Sequence, residues 1–287
     1  MASKFSEKFE KKVLNAVKRY NLASKSDKVL VACSGGKDST SVLSILHKNR
    51  YDVEAIHIDL GIGEWSEKNK ENINSFCRKA DIKLNFASTR EYFGSSVCYL
   101  KSAIQARDNL TSCSVCGVMK KWILNKKARE LGADRLATGH NLDDEARTFV
   151  MNLANGNPEL CLLSSPGRKD MNGIFVPRIK PLYFCSTPDI KRYSREMGFP
   201  VLYERCPCSK GSFGRNIFEE LDAIEAKYPE AKQNIVQTFQ YIQKKTPTPC
   251  GAVSACRLCG EPSRKGICRT CSMLSMLKDK PLSGQSK

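Results

Sequence analysis

Phe5, Phe9, Val13 and Val17 recur every four residues among lysines and glutamates, the spacing of one apolar face on an amphipathic helix. The pattern then changes. Residues 28–33 (KVLVAC) form a short apolar run of strand type, and residues 53–59 and 83–87 read as second and third strands. A helical stretch reaches Leu46, another covers residues 68–80, a fourth strand covers 135–138, and a helix opens near Leu142. Strands alternating with helices at this spacing predict an α/β fold, a doubly wound parallel sheet with helices on both faces.

Beyond Asn155 the sequence predicts a loop rich in Gly, Pro and Ser up to Asp170, a strand-like stretch at 173–176, a turn at Pro181 and a helix from Pro188 to Met197. Residues 201–203 are again strand-like, and 213–244 read as two helices broken at Pro229. A Thr-Pro-Thr-Pro boundary at 246–249 precedes a cysteine-rich module. The predicted division is therefore an N-terminal helix (1–22), a main domain (23–212), two helices (213–247), a small cysteine module (248–275) and a tail (276–287). No internal repeat is visible.

A chain of 287 residues, 41% hydrophobic, carries enough apolar surface for one medium α/β domain with an appendage, which excludes wholesale disorder. It has no apolar run of about 18 residues and no apolar core near its start, so no membrane partner and a cytoplasmic location are expected. The net charge of +17 points to a polyanionic partner, of which nucleic acid is the usual one. Fourteen cysteines in a reducing compartment read as metal or redox groups rather than disulfides, and three Cys-x-x-Cys pairs stand out: Cys113/Cys116, Cys256/Cys259 and Cys268/Cys271.

Two motifs carry nucleotide chemistry. SGGKDS (34–39) lies between a predicted strand and a predicted helix. Gly35 and Gly36 let backbone amides approach an anion, and the helix aims its positive end at it. Lys37 adds a cation, Ser34 and Ser39 add hydroxyls, and Asp38 suits Mg²⁺. The spacing is not that of a Walker A loop. TGHNLDDEA (138–146) also sits where a strand meets a helix, so a doubly wound sheet brings it to the same crevice. Gly139 permits close approach to the nucleotide. Asp143, Asp144 and Glu145 serve either as helix caps or as carriers of Mg²⁺ or a proton.

CSVCG (113–117) precedes a helix carrying Lys120, Lys121 and Trp122, a setting expected to lower the pKa of both thiols. Cys206 or Cys208 of CPCS (206–209) is the third candidate. Three cysteines from two loops suit three irons of a [4Fe–4S] cluster with the fourth iron open, and a persulfide-forming dithiol is the competing chemistry. Cys256, Cys259, Cys268 and Cys271, with eight residues between the pairs, predict a tetrahedral zinc site that stabilises a module too small for its own core. Cys250 falls outside that spacing.

The order SGGKDS, CSVCG followed by Lys120, TGHNLDDEA, RIKPL, CPCS resembles the TtuA/NcsA group of tRNA 2-thiouridine synthetases, PP-loop N-type ATP pyrophosphatases, from about Phe5 to the chain end. The resemblance implies a nucleotide α-hydrolase-like fold with a C-terminal zinc ribbon. It also implies that ATP activates the uridine O2 in tRNA and sulfur then replaces the activated oxygen. By position, Asp38, Lys120 and Asp144 become catalytic, and Cys113, Cys116 and Cys206 the cluster ligands. Nucleotide contacts fall on the 34–39 loop, Lys120 and Asp144, and also on Ala32, Cys33, Ile58, Gly139 and His140. The group implies a thiocarboxylated ubiquitin-like carrier or sulfide as donor, and a homodimer. Two features depart from it: a zinc ribbon often stands ahead of the first helix in that group, and Cys208 occupies a position where an aromatic residue is common, so either Cys206 or Cys208 serves as third ligand. A 2-thiocytidine synthetase and a non-catalytic RNA-binding subunit are the rival readings.

Overall fold

The computed structural model describes residues 3–108, 110–167, 173–204, 206–209, 212–246 and 253–278, which leaves Cys250 outside the described residues. Helix α1 (Lys4–Arg19) is capped by Ser3, whose Oγ accepts the Ser6 amide at 3.1 Å, and its apolar stripe is buried as the spacing predicts. A parallel sheet follows, built from β1 (Lys28–Ala32), β2 (Asp52–Asp59) and β3 (Leu84–Ser88), joined by α2 (Lys37–Lys48) and α3 (Gly63–Ala80). After α4 (Thr89–Phe93), α5 (Val97–Gln105) and α6 (Ser112–Glu130), β4 (Arg135–Ala137) pairs on the other side of β1. Then come α7 (Leu142–Ala154), α8 (Pro158–Leu162), β5 (Arg178–Ile179) and α9 (Thr187–Glu196).

The strand order is β3-β2-β1-β4-β5. Val29, Leu30 and Val31 of the central strand are fully buried because helices cover both faces. On one face α1, α2 and α9 meet in a core that includes Val13, Leu43 and Tyr193; on the other, Leu124 and Ala128 of α6 pack on Leu30 and Leu136. Chain direction across the sheet reverses between β1 and β4, so the loops leaving these two strands face one crevice.

The remaining elements belong to the C-terminal part. A 3₁₀ turn (Pro207–Ser209) leads to α10 (Phe213–Lys227) and α11 (Ala231–Lys245), which break at Pro229 as predicted and pack on α7, with Phe149 and Phe239 stacked at 4.1 Å. A two-stranded ribbon of β6 (Ser254–Ala255) and β7 (Pro262–Ser263) is followed by α12 (Arg269–Lys278). Met273 of α12 packs with Ile104, Val115 and Met119, and Glu261 binds Asn125 at 2.7 Å and Arg129 at 3.0 Å, so the ribbon is fastened to α6.

Several local expectations shift. The strand predicted at 173–176 falls at Arg178–Ile179, where Leu136 donates to the Pro177 carbonyl at 2.9 Å and the ladder starts. Residues 201–203 contribute only a bridge between Leu202 and Gly36. The loop after Asn155 contains α8, and α3 begins at Gly63 rather than 68. Most consequential for the site, Thr111 caps α6 through its Oγ1, 3.3 Å from the Ser114 amide, so CSVCG lies inside the helix's first turns and not ahead of them.

Candidate active site

The loop after β1 has one backbone solution. Gly35 adopts a φ of 81°, and a Cβ there would lie 2.6 Å from the Asn69 carbonyl oxygen, so only glycine fits. Gly36 is the N-cap of α2 and makes no side-chain capping bond, which leaves the helix's first amides directed at the crevice. Ser39 Oγ accepts the Ser34 amide and donates to the Gly36 carbonyl, both at 3.2 Å, so the loop is held in a tight curl. Lys37 pairs with Asp38 at 2.8 Å.

The loop after β4 is fitted onto the first. A Cβ on Gly139 would come within 2.7 Å of the Ser39 amide nitrogen, so close approach is what this glycine provides. Asn141 caps α7 in a reciprocal box with Asp144 and donates through Nδ2 to Asp38 Oδ1 at 2.9 Å, joining the two motifs directly. The three consecutive acidic residues separate by role. Asp143 is buried against Lys232 at 2.7 Å and the Thr187 amide, and Glu145 is buried against Lys180 at 2.6 Å and Ser164. Only Asp144 reaches the crevice, paired with Arg147 at 3.2 Å. His140 opens to the crevice with Nδ1 2.9 Å from Thr138 Oγ1. Desolvation within the crevice, with the Lys180 charge, lowers its pKa.

Two cavities flank this junction. The smaller, about 380 Å³, is enclosed by Ala32, Cys33, Ser34, Ile58, Gly139 and Lys120, together with His57 and Trp65. The larger, about 1010 Å³, takes in Lys37, Asp144, Cys113 and Cys206. Asp38 lies in the wall of both. His57 and Trp65 carry no motif and were not foreseen. His57 donates from Nδ1 to the Cys33 carbonyl at 2.9 Å, and burial lowers its pKa. Trp65 Nε1 is buried without a partner among the described residues, a donor suited to a polar ligand in the smaller cavity. Cys33 is buried and its pKa is driven far up by burial, which fits a strand-end packing residue.

The predicted cluster cysteines come from α6 and from the residue just ahead of the 3₁₀ turn. Cys116 and Cys206 pack with Leu60, Ile62 and Val97, and two further thiols, Cys98 and Cys208, join the same patch; Cys113 is exposed at the rim of the larger cavity. Cys98 lies on α5, outside every motif, and shares this patch with Cys208. Cys206 lines the larger cavity and Cys208 does not. The expected thiolate character does not extend to Cys116: burial raises its pKa and outweighs the Lys120 cation, and burial raises Cys206 as well. In the ribbon the sulfurs of Cys256, Cys259, Cys268 and Cys271 lie within 4.8 Å of one another. Backbone amides of Leu258 and Cys268 donate to Cys256 at 3.5 and 3.2 Å, and Trp122 Nε1 donates to Cys259 at 3.4 Å.

A parallel sheet with this strand order, a Gly-Gly anion loop after β1 and a second loop closing on it from β4 define a PP-loop protein, and a profile of the PP-loop domain family matches residues 5–216. The chain is 33% identical over 279 residues to the tRNA-5-methyluridine(54) 2-sulfurtransferase of Pyrococcus horikoshii, covering 96% of this chain and 87% of that one. It is 34% identical over 269 residues to the enzyme of the same name from Thermus thermophilus, covering 92% and 82%. Among solved structures, the U34-tRNA thiolase NcsA of Methanococcus maripaludis with its [4Fe-4S] cluster superposes with a TM-score of 0.75 at 26% identity, covering 90% of this chain and 84% of that one. The chain belongs to the tRNA 2-sulfurtransferase family of PP-loop enzymes, and its reaction is tRNA thiolation.

Proposed function

We propose that the protein adenylates O2 of a uridine in tRNA and then replaces that oxygen with sulfur. The carrying observation is that Asp38 stands in the wall of both cavities, so a nucleotide in the smaller one and a base in the thiol-lined larger one would meet at a single carboxylate. Adenosine fits between the ends of β1 and β2, with Ala32, Cys33 and Ile58 against it and Trp65 Nε1 as a donor. The triphosphate would lie on Gly35, Gly36, Lys37 and Ser39 at the positive end of α2, with Asp38 and Asp144 holding Mg²⁺. Attack of the uridine O2 on the α-phosphate releases pyrophosphate and turns a poor leaving group into AMP. Sulfur then adds at C2 and AMP departs with the oxygen, Lys120 offsetting the negative charge that develops.

Cys113, Cys116 and Cys206 fit a [4Fe–4S] cluster: Cys116 and Cys206 are part-buried in the apolar patch, while Cys113 and Cys206 line the larger cavity. Bound there, the cluster supplies an open iron site for sulfide. Cys206 is the better third ligand because it lines the larger cavity and Cys208 does not. The ribbon's four gathered sulfurs, with amides donating to them, suit a closed structural zinc. A thiocarboxylated carrier or sulfide as donor, a cytoplasmic location and a homodimer complete the reading through the family resemblance.

The test is anaerobic protein with tRNA, MgATP and sulfide, followed by nucleoside mass spectrometry and AMP quantification. One AMP per 2-thiouridine is expected, and fragment mapping reports whether position 34 or 54 is modified. Asp144→Asn should keep its iron and lower thiolation by roughly 100-fold or more, the scale of a lost catalytic carboxylate. Thiolated cytidine in place of uridine, or no tRNA-dependent AMP, would sink the proposal.

A further inference from the structure

The larger cavity exceeds what phosphates and one sulfur site occupy, and its far wall has a composition of its own. From the PP-loop end it extends past Asp144 to the start of α10 and the exposed face of α9. Five cationic side chains line it, Lys37, Lys121, Arg147, Lys191 and Arg215, against two carboxylates, Asp38 and Asp144. Both carboxylates stand at the PP-loop end and are already paired, with Lys37 and Arg147. The wall beyond them is cationic and includes Tyr203 and Phe213, two large aromatic side chains left 40% and 43% exposed.

Arg147 connects the two halves. One of its terminal nitrogens pairs with Asp144 at 3.2 Å, its guanidinium carbon lies 5.7 Å from the centre of the Phe218 ring, and its Nε is buried without a hydrogen-bond partner among the described residues. Arg215 is steadied from behind by Glu219, which accepts from its Nε at 3.1 Å and leaves the terminal fork directed elsewhere. The first turn of α10 carries no acidic residue, and the carboxylate that pairs with Arg215, Glu219, lies one turn further along the helix.

We propose that this wall is a subsite for single-stranded RNA: the phosphodiester beside the target uridine lies on Arg147, Lys191 and Arg215, and the neighbouring base stacks on Phe213 or Tyr203. The argument is one of access and rests on the thiolation reading. A uridine delivered between Asp38 and Cys206 occupies the near half of the cavity, so its own backbone must cross the far half. Cations that follow a backbone with aromatic faces between them are the arrangement that holds an extruded nucleotide without reading its sequence. This makes α7, α9 and α10 the elements that position the substrate, separate from those that hold ATP.

The experiment measures tRNA affinity by fluorescence anisotropy across a salt series, with KM for tRNA and for ATP measured in parallel. Arg215→Ala and Lys191→Ala should each weaken tRNA binding roughly 5- to 10-fold and reduce the slope of log K against log salt by about 1. KM for ATP, iron content and melting temperature should stay as in the wild type. Arg147→Lys should retain more tRNA affinity than Arg147→Ala, and Phe213→Ala should weaken binding without changing the salt slope. Lys79→Ala, which removes an exposed charge at the end of α3, serves as the control. Equal losses at Lys79 and Arg215 would mean diffuse attraction and overturn the subsite. Unchanged tRNA affinity with loss only of a protein sulfur donor, and not of sulfide, would assign the wall to that carrier and overturn it as well. If the protein binds tRNA with the Arg215 dependence yet makes no 2-thiouridine, the subsite stands and the thiolation reading falls.

Discussion

Two groups of cysteines lie on either side of α6, and they differ in the way that separates a structural site from a reactive one. In the ribbon four thiols converge to within 4.8 Å, and amide hydrogens donate to Cys256 and Cys268. Such a site is complete in itself and leaves no position for a substrate. At the other end of α6, Cys116, Cys206, Cys98 and Cys208 share an apolar patch while Cys113 stands exposed, and the group borders a cavity of about 1010 Å³. There the sulfurs come from α5, α6, the 3₁₀ turn and the residue just ahead of it, so their spacing depends on tertiary packing rather than on a local turn. A surplus of thiols over the three needed for a three-ligand cluster makes the assignment a question of which sulfurs face the cavity.

The largest expected effect answers that question. Cys206→Ala should lose its iron and its thiolation while keeping about one zinc per chain, and Cys208→Ala should keep both metals and most of the activity. Iron, acid-labile sulfide and zinc analysis of anaerobically purified protein decides it. Loss of iron in Cys208→Ala alone would move the third ligand by two residues along the turn. Zinc without iron, in protein that still thiolates tRNA, would remove the cluster and favour persulfide chemistry at Cys113 and Cys116.

Much of this comparison was legible in the sequence because it is local. The ribbon's four cysteines sit at fixed spacings on two turns, and SGGKDS and TGHNLDDEA each span one strand-to-helix junction, so order along the chain is enough to place them. The parallel sheet follows from alternation of elements for the same reason. What stayed hidden depends on contacts distant in sequence. Cys98 shares an apolar patch with Cys208 across 110 positions, and His57 and Trp65 reach the smaller cavity from a strand and a helix without any motif. The roles of Asp143, Asp144 and Glu145 separate only because Lys232 and Lys180 arrive from later helices and loops. The expectation of lowered thiol pKa values failed at Cys116 for a related reason: nearby lysines are visible in sequence, and burial is not.

An intermediate effect tests whether the two groups are mechanically joined through α6. Glu261 is 4% exposed and holds Asn125 and Arg129, and Trp122, one residue beyond Lys121, donates to Cys259. Glu261→Ala leaves the buried Asn125 amide short of a partner and should destabilise the ribbon's docking by about 1–3 kcal/mol. Melting temperature should fall by several degrees with zinc retained. If iron content also drops, the ribbon holds α6 in the register the cluster needs; if iron is unchanged, the ribbon's metal and the cluster are independent.

The smallest effect is the sharpest on assignment. Cys98 is part-buried on α5 in the apolar patch and, unlike Cys206, does not line the larger cavity. Cys98→Ala removes one sulfur and leaves the apolar patch nearly filled, so stability should change by no more than about 0.5 kcal/mol, the scale of a substitution that neither opens a large cavity nor strands a charge. Iron, zinc and thiolation should match the wild type, since the three proposed ligands are untouched. The comparison changes if iron falls as far in Cys98→Ala as in Cys206→Ala. Cys98 would then be a ligand, Cys208 its neighbour in the same shell, and the group beside α6 would be a closed four-thiol site like the ribbon's, with no open iron to receive sulfide.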